Sequence, residues 1–162
     1  RLLDSDRENH PLTSRKKVMK RSIFSWVFAA SSLLVGDLRG DYTNHMQRGD
    51  VILGSAGQIA FGPEGILLVA DPRNAQIVAI ATDDQSSAAT VNYSITNIDE
   101  KIAGMLGTVT KEIQIVDLAT NPLSHLVYLS VARGRGPNAI PVLLRIQPDG
   151  SIQEVSTKQV LH

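Results

Sequence analysis

Two arginines in one glycine-rich loop are the residues of this sequence best suited to bind an anion. The loop reads Arg133-Gly-Arg-Gly-Pro137, so that Arg133 and Arg135 stand two residues apart on a backbone that glycine leaves free. Guanidinium groups form strong bidentate hydrogen bonds with carboxylates and phosphates, and neighbouring amides can add donors. The sequence predicts either a carboxylate or phosphate site or, with the same composition, a solvated surface loop.

A second polar cluster lies in the segment Asp71-Pro-Arg-Asn74. Asp71 and Asn74 carry oxygen ligands of the kind that calcium prefers, and Arg73 adds a positive charge that could meet a substrate. A tight turn requires the same residue types, because Pro fixes φ and Asp or Asn side chains bond to nearby backbone. We expect these three residues either to bind a ligand or simply to form the turn. Calcium is the one cofactor that their side chains would suit.

The sequence contains no residue set with the spacing of a known catalytic or metal centre. Its four histidines are scattered, and it has no cysteine. Ser55 lies in Gly-Ser-Ala-Gly rather than in a Gly-x-Ser-x-Gly elbow, and residues 104–107 lack the Gly-Lys-Ser/Thr ending of a phosphate loop. We therefore predict no catalytic residue and no metal-ligand set, which favours a binding protein over an enzyme.

The segment that must position the second cluster is a meander over residues 57–81. Two tight turns, at residues 61–65 and 71–74, divide it into three short apolar runs, each too short for a helix. Pro63 presets φ in the first turn, and Gly65 supplies the positive φ that the exit from this turn needs. The pattern predicts three antiparallel strands.

A second unit of similar pattern follows about 60 residues further along the chain. Residues 119–122, 127–130 and 142–146 repeat the character of residues 60–63, 67–70 and 76–80, with about six extra residues in the arginine loop. Two short aliphatic runs can also resemble each other by chance. We predict a fourth strand in each unit, at residues 90–95 and 151–156, the latter after a Pro-Asp-Gly hairpin turn.

One helix is predicted between the two units, starting after Asn97 and ending before Gly107. Asn97 has the position of a helix cap and Glu100 that of its capping-box partner. The predicted apolar face consists of Ile98, Ile102, Met105 and Leu106. We expect this helix to cover the rim between the units; binding of a partner protein is the alternative.

Residues 61–80 resemble a blade of the NHL-type β-propellers. The shared features are a Pro-x-Gly hairpin, an apolar strand that ends in Ala-Asp, a short turn with Asn, and a Gln-Ile-Val strand. The second unit fits in outline only, because Val131-Ala-Arg-Gly replaces the Ala-Asp turn. The resemblance implies an all-β fold of four-stranded antiparallel propeller blades. A closed propeller has about four to eight blades, so we expect the chain to be part of a longer protein.

The amino-terminal region carries the pattern of an export signal. Basic residues precede an apolar run at residues 23–36, which is shorter than the roughly 20 residues needed to span a bilayer. A retained signal anchor, a buried helix and a transit peptide are the alternatives. The predicted organisation is as follows: residues 1–18 a disordered leader or upstream-translated segment, 19–36 the signal peptide or anchor, 37–56 a linker, 57–96 blade 1, 97–110 the inter-blade helix and 111–162 blade 2.

Charge and composition restrict the class of partner. Residues 37–162 carry nine Lys or Arg against thirteen Asp or Glu, which argues against nucleic acid as a ligand. We expect a periplasmic or extracellular binding or scaffold module for a protein or glycan ligand. The alternatives are a periplasmic propeller enzyme, resembling lactonase or quinoprotein propellers with calcium in the central channel, and an envelope protein that contacts the membrane only through an uncleaved signal segment.

Overall fold

In the computed structural model, which describes residues 42–86 and 93–162, the chain consists mainly of antiparallel β-strands with one α-helix. This confirms the prediction of a mainly β fold with one helix. The predicted leader and signal segment lie outside the described residues. The elements are β1 (Arg48–Gly49), β2 (Ile59–Phe61), β3 (Ile66–Asp71), β4 (Gln76–Ala81), α1 (Ile98–Met105), β5 (Ile113–Thr120), β6 (Val127–Arg133), β7 (Ile140–Ile146), β8 (Ile152–Glu154) and β9 (Val160–Leu161).

The predicted meander over residues 57–81 is confirmed as a three-stranded sheet in the order β2-β3-β4. Leu67 lies opposite both Phe61 and Ile80 in this antiparallel register. Gly65 has φ +72°, as the turn requires, and Glu64 before it also has a positive φ, of 55°. The polar cluster that starts at Asp71 therefore lies at the end of the central strand of this sheet.

The second unit forms a four-stranded antiparallel sheet in the order β5-β6-β7-β8. Its predicted hairpin turn after Gln147 is present: Gln147 N–H donates to the carbonyl of Ser151 at 2.8 Å, and Gly150 has φ +79°. An irregularity in β5 between Ile115 and Asp117 shifts its register against β6. This bulge brings Asp117 into line with Ser130 on the neighbouring strand.

The fourth strand predicted for the first unit, at residues 90–95, is not seen where it can be checked. Residues 93–95 do not belong to a strand, and residues 90–92 lie outside the described part. Tyr93 and Ile95 instead pack beside the helix against the core of the four-stranded sheet, and Tyr93 Oη donates to the carbonyl of His125 at 3.4 Å. Burial of these two apolar side chains on the other sheet competes with strand pairing at this point.

Helix α1 begins directly after Asn97 and ends before Gly107, as predicted, but the Asn97 side chain does not cap it. Gly107 has φ +64° and Thr108 N–H bonds the carbonyl of Ala103 at 2.9 Å, which closes the last turn. Asn97 has a left-handed backbone, and its side chain bonds Glu100 rather than capping the helix. The predicted apolar face is wrong at Met105, which is 41% exposed; Ile102 and Ala103 are the buried residues.

The four-stranded sheet has a core on each of its faces. One face packs against the three-stranded sheet, and α1 covers the other, so that the alternating residues of β6 point into different cores. Between the sheets lie Val51, Ala56, Ile59, Leu67, Val69, Ile80, Leu126, Tyr128 and Leu143. Under the helix lie Ile102, Ala103, Ile113, Val127, Leu129, Val131, Val142, Leu144 and Ile146.

Three contacts fix the direction of one sheet relative to the other. Asp117 Oδ2 accepts a hydrogen bond from Ile59 N–H at 2.9 Å, and Ser130 Oγ donates to the carbonyl of Gly57 at 2.7 Å. Phe61 meets Tyr128 edge to face, with ring centroids 4.9 Å apart. Because the chain advances from 57 to 61 while its contacts on β6 move back from 130 to 128, β2 runs antiparallel to β6 and parallel to β5.

A two-stranded ladder pairs the first strand with the last. In β1 and β9, Arg48 lies opposite Leu161 and Gly49 opposite Val160. Gln47 and His162 extend the ladder with two backbone hydrogen bonds of 2.9 Å. Within the described residues, no helix has the length and apolar character needed to cross a membrane.

Two glycine-to-alanine substitutions, one in a turn and one in helix α1, should change the free energy of unfolding in opposite directions. At Gly65, with φ +72°, an added Cβ would lie 3.1 Å from the carbonyl oxygen of Asp84, so Gly65→Ala should lower the free energy of unfolding by about 1–2 kcal/mol. At Gly104, inside α1, an added Cβ meets nothing within 4 Å, so Gly104→Ala should raise it by about 0.5–1 kcal/mol. Urea unfolding of both variants measures the difference. Equal stability of the two would contradict the left-handed turn.

Candidate functional site

All five predicted ligand-binding residues lie at one end of the two sheets. Because β3 runs parallel to β6, the β3–β4 turn after Asp71 and the β6–β7 loop after Arg133 leave the sheets at the same end. We call this end, formed by residues 71–76 and 133–140, the loop end. The structure thus places at the same end two clusters that lie about 60 residues apart in the sequence.

Asp71 is fully buried, and donors from its own chain surround its carboxylate. Oδ1 accepts from Ser55 N–H at 2.7 Å and from Ser55 Oγ at 2.8 Å. Oδ2 accepts from Gly54 N–H at 2.9 Å, from the Asn74 amide at 2.8 Å and from the Gln76 amide at 3.2 Å. The carboxylate therefore ties the segment before β2 to the β3–β4 turn.

The protonation of Asp71 reflects this donor shell. Burial raises the pKa of the Asp71 carboxyl, but the hydrogen bonds from Gly54, Ser55 and Gln76 lower it by more, so that the pKa lies well below its ordinary value. The group is therefore ionised at neutral pH. An external cation such as calcium would have to compete with five donors for these two oxygens, and ligand binding by Asp71 and Asn74 stays a prediction.

Arg73 and Arg135 have different freedom to meet a ligand. The backbone N–H of Arg73 donates to Ser55 Oγ at 3.1 Å. Within the described residues, the Arg73 guanidinium has no hydrogen bond or ion pair. The Arg135 Nε and Nη2 donate to the carbonyl of Lys111 at 2.9 and 2.7 Å. Arg135 therefore fastens the loop to the short 3₁₀ turn Thr110–Glu112, and much of its hydrogen-bonding capacity is used within the chain.

Arg133 is a half-buried arginine of the loop end. It is the last residue of β6, opposite Ile113 on one neighbouring strand and Ile140 on the other. In the part of the chain that the structure describes, its side chain has no hydrogen bond or ion pair. Its strand position holds the backbone in place while the charge remains available.

A groove of about 250 Å³ includes Ile140, the residue that pairs with Arg133, and the sequence analysis does not predict it. Two of its lining residues are strongly exposed: Ile52 is 81% and Ile140 is 53% exposed. The apolar run 51–53 falls within the predicted linker, and this run is the sequence signal that points to the groove. We call this feature the Ile140 groove; it is lined by Val51, Ile52, Leu53, Ile140, Pro141 and Thr157.

A second cavity, of about 220 Å³, lies near the opposite end, beside a buried polar network. Asp84 Oδ2 accepts from Ser124 Oγ at 2.6 Å, Tyr128 Oη at 2.9 Å and the Asn121 amide at 3.2 Å. Burial and the nearby Asp84 carboxylate raise the pKa of Tyr128, against the lowering influence of Arg145. Since these donors are used internally, we assign the network a structural role: it fixes the segment after β4 to the second sheet.

Metal coordination finds no support in the described ranges, 42–86 and 93–162. No group of three or more His, Cys, Asp or Glu side chains within them is placed to hold a metal ion. The carboxylates described above each bond the chain's own donors instead. The loop end is thus an arginine-bearing surface next to an apolar groove.

Comparison with known proteins found no relative: no family model, no curated protein and no solved structure matches this chain. The resemblance to an NHL-type blade therefore rests on residues 61–80 alone and stays a prediction. Any functional assignment has to come from the chain's own geometry.

Proposed function

We propose that this chain is an exported binding or scaffold module made of two propeller-type blades, which holds a protein or glycan ligand at its loop end. The observation that carries the proposal is the common direction of the two sheets, since it places both predicted ligand-binding loops at one end. A rigid sheet scaffold that presents loops at one end is a common arrangement for binding sites.

The arrangement of strands supports the propeller part of the proposal. The two sheets pack face to face, each is antiparallel and sequential, and their first strands, β2 and β5, are neighbours. Blades of a propeller are sheets of this kind arranged around a central axis. Helix α1 covers the face of the second sheet that another blade would occupy in a propeller. A sandwich of two sheets would have the same arrangement.

The outer face of the three-stranded sheet adds support for a neighbouring blade. Leu68 and Ile77 are 37% and 74% exposed, and alanines at positions 60, 70 and 79 lie among them. This face carries no charged side chain on its paired positions. An apolar face of this composition is typical of a sheet that packs against another sheet.

One fusion protein tests both export and binding. The full chain is joined at its carboxyl end to bacterial alkaline phosphatase, an enzyme that becomes active only after export because it needs disulfides. We expect active enzyme outside the cytoplasm, from the basic residues and apolar run at residues 19–36. The same activity then reports retention of the fusion on an array of glycans and on immobilised peptides.

The control for binding is phosphatase exported by an unrelated signal peptide. Retention of the fusion on at least one glycan or peptide class, above this control, is the expected result. An inactive fusion would overturn the assignment to the periplasm or exterior, whereas an active fusion that nothing retains would overturn the binding role.

A further inference from the structure

We propose that two copies of this chain form a dimer by antiparallel pairing of their β4 strands about a twofold axis, with an ion pair between Arg73 of each copy and Asp83 of the other. Pairing of this kind joins the two three-stranded sheets into one continuous sheet. The dimer goes beyond the proposed function, which does not depend on it.

Strand β4 is an edge of the three-stranded sheet, and it lacks the features that usually protect such an edge. Its six residues, Gln76–Ala81, contain no charge and no proline, and its register against β3 has no bulge. Among the other described edges, β2 and β8 have three residues each, and β5 has a bulge at which Asp117 bonds Ile59 of β2. An unprotected edge of this length is a template for another strand.

The hydrogen bonds of β3 show which backbone groups of β4 point away from the sheet. The N–H and the C=O of Ala70 both bond the chain on the β2 side, at 2.9 and 2.8 Å. Backbone groups alternate along a strand, so Val69 points the other way and bonds its partner on β4, Val78. The neighbours of Val78, Ile77 and Ala79, therefore direct their N–H and C=O groups outwards, and within the described residues these groups have no partner.

The exposed part of β4 coincides with these outward groups. Ile77 is 74% exposed, whereas Ile80 and Ala81, at the other end of the strand, are buried and line the second cavity. A partner strand therefore meets this edge at residues 76–79.

Symmetry and the outward groups fix the register of the pair. The register centred on Val78 pairs Ile77 of each copy with Ala79 of the other, so that both residues form both of their backbone hydrogen bonds. It also packs the Ile77 side chain against Ala79 of the other copy, which removes apolar surface from water. Registers centred one residue to either side would need Ala75, which lies in the turn, or the buried Ala81.

The same register brings opposite charges together at both ends of the paired strands. Arg73 and Asp83 lie five positions before and five positions after Val78, so Arg73 of one copy is level with Asp83 of the other. Both side chains are exposed, and within the described residues neither has a hydrogen bond or an ion pair. Residues 74–82 between them carry no charge that would oppose the approach. This complementarity favours a second copy of the chain over an unrelated strand.

Sedimentation equilibrium of the purified full chain tests the dimer. We expect a monomer–dimer equilibrium that shifts towards monomer at high salt. Arg73→Asp and Asp83→Arg each place like charges opposite each other and should each raise the dimer dissociation constant at least about tenfold. The double variant restores opposite charges and should return to within about threefold of the wild type. Lys101→Glu on α1, a matched charge reversal elsewhere, should change the constant less than about twofold.

Ala79→Pro tests the backbone pairing separately. It removes an N–H that points away from β3, so the sheet should keep its own hydrogen bonds while the dimer loses two of the bonds that hold it. We expect this variant to be monomeric. Ala79→Ser keeps the N–H and should still form the dimer.

Three results would overturn the proposal. One is a wild-type chain that stays monomeric up to about 1 mM, where even weak contacts are populated. Another is a dimer that Ala79→Pro leaves unchanged, since such a dimer pairs elsewhere. The third is a double charge variant that dissociates as readily as the single ones. Thermal unfolding of each variant shows that a loss of dimer is not a loss of fold.

Discussion

Asp71→Ala is expected to lower the free energy of unfolding by about 3–5 kcal/mol, a large share of the stability of a domain of this size. The substitution removes a fully buried carboxylate and leaves five donors without an acceptor. Each buried donor without a partner costs about 1–3 kcal/mol, reduced where water enters. Chemical unfolding in urea gives the value, and Glu154→Gln, which changes an exposed acid on β8, should stay within about 0.5 kcal/mol of the wild type.

The contribution of Asp71 should also depend on pH in a defined direction. Because the folded state lowers the pKa of this carboxyl, its stabilising effect is present above the unfolded value of about 3.9 and is lost as the pH falls below it. The difference in stability between the wild type and Asp71→Asn should therefore begin to narrow as the pH falls below about 4, and should keep narrowing as the pH falls further towards the lowered pKa of the folded state. A gap that stays constant over this range would contradict the donor shell.

The second large effect is expected at Asp84, which joins the segment after β4 to the four-stranded sheet. Asp84→Ala should cost about 3 kcal/mol, because the hydroxyls of Ser124 and Tyr128 lose a buried acceptor, while the Asn121 amide keeps the backbone carbonyl of residue 84 at 2.7 Å. Tyr128→Phe removes a single donor and should cost about 1 kcal/mol.

A double-mutant cycle tests whether these groups act as one network. In Asp84→Ala the Tyr128 hydroxyl has already lost its acceptor, so adding Tyr128→Phe should cost less than it does in the wild type. Urea unfolding of the four proteins gives the coupling free energy. Simple additivity of the two changes would show that the 2.9 Å contact between Tyr128 and Asp84 contributes nothing of its own.

Local signals account for the parts of the fold that could be predicted from the sequence. Gly65, Gly107 and Gly150 each mark a turn or a helix end, and each has the positive φ that these positions require. Short apolar runs between such residues are confirmed as strands β3, β6 and β7. These elements depend on a few neighbouring residues, which a single sequence displays.

Long-range contacts account for what could not be predicted. Gly54 and Ser55 lie in a segment that reads as a polar linker, and only the folded chain brings them to the carboxylate of Asp71. Tyr93 and Ile95 read as part of a strand, yet the four-stranded sheet buries them beside the helix. The arginines of the loop end could be identified as candidates by type, but which of them is already bonded within the chain is settled by the position of Lys111.

The ladder between β1 and β9 has a mechanical consequence. Gln47 and His162 lie at the same end of this antiparallel pair, so a force that separates these two residues loads the backbone hydrogen bonds one after another, like a zipper, and not all at once. Bonds loaded in sequence yield at lower tension than bonds loaded in parallel. Val51 follows β1, and its N–H donates to the carbonyl of Thr157 at 2.7 Å. Because both residues line the Ile140 groove, a force that opens the ladder would next act on the groove.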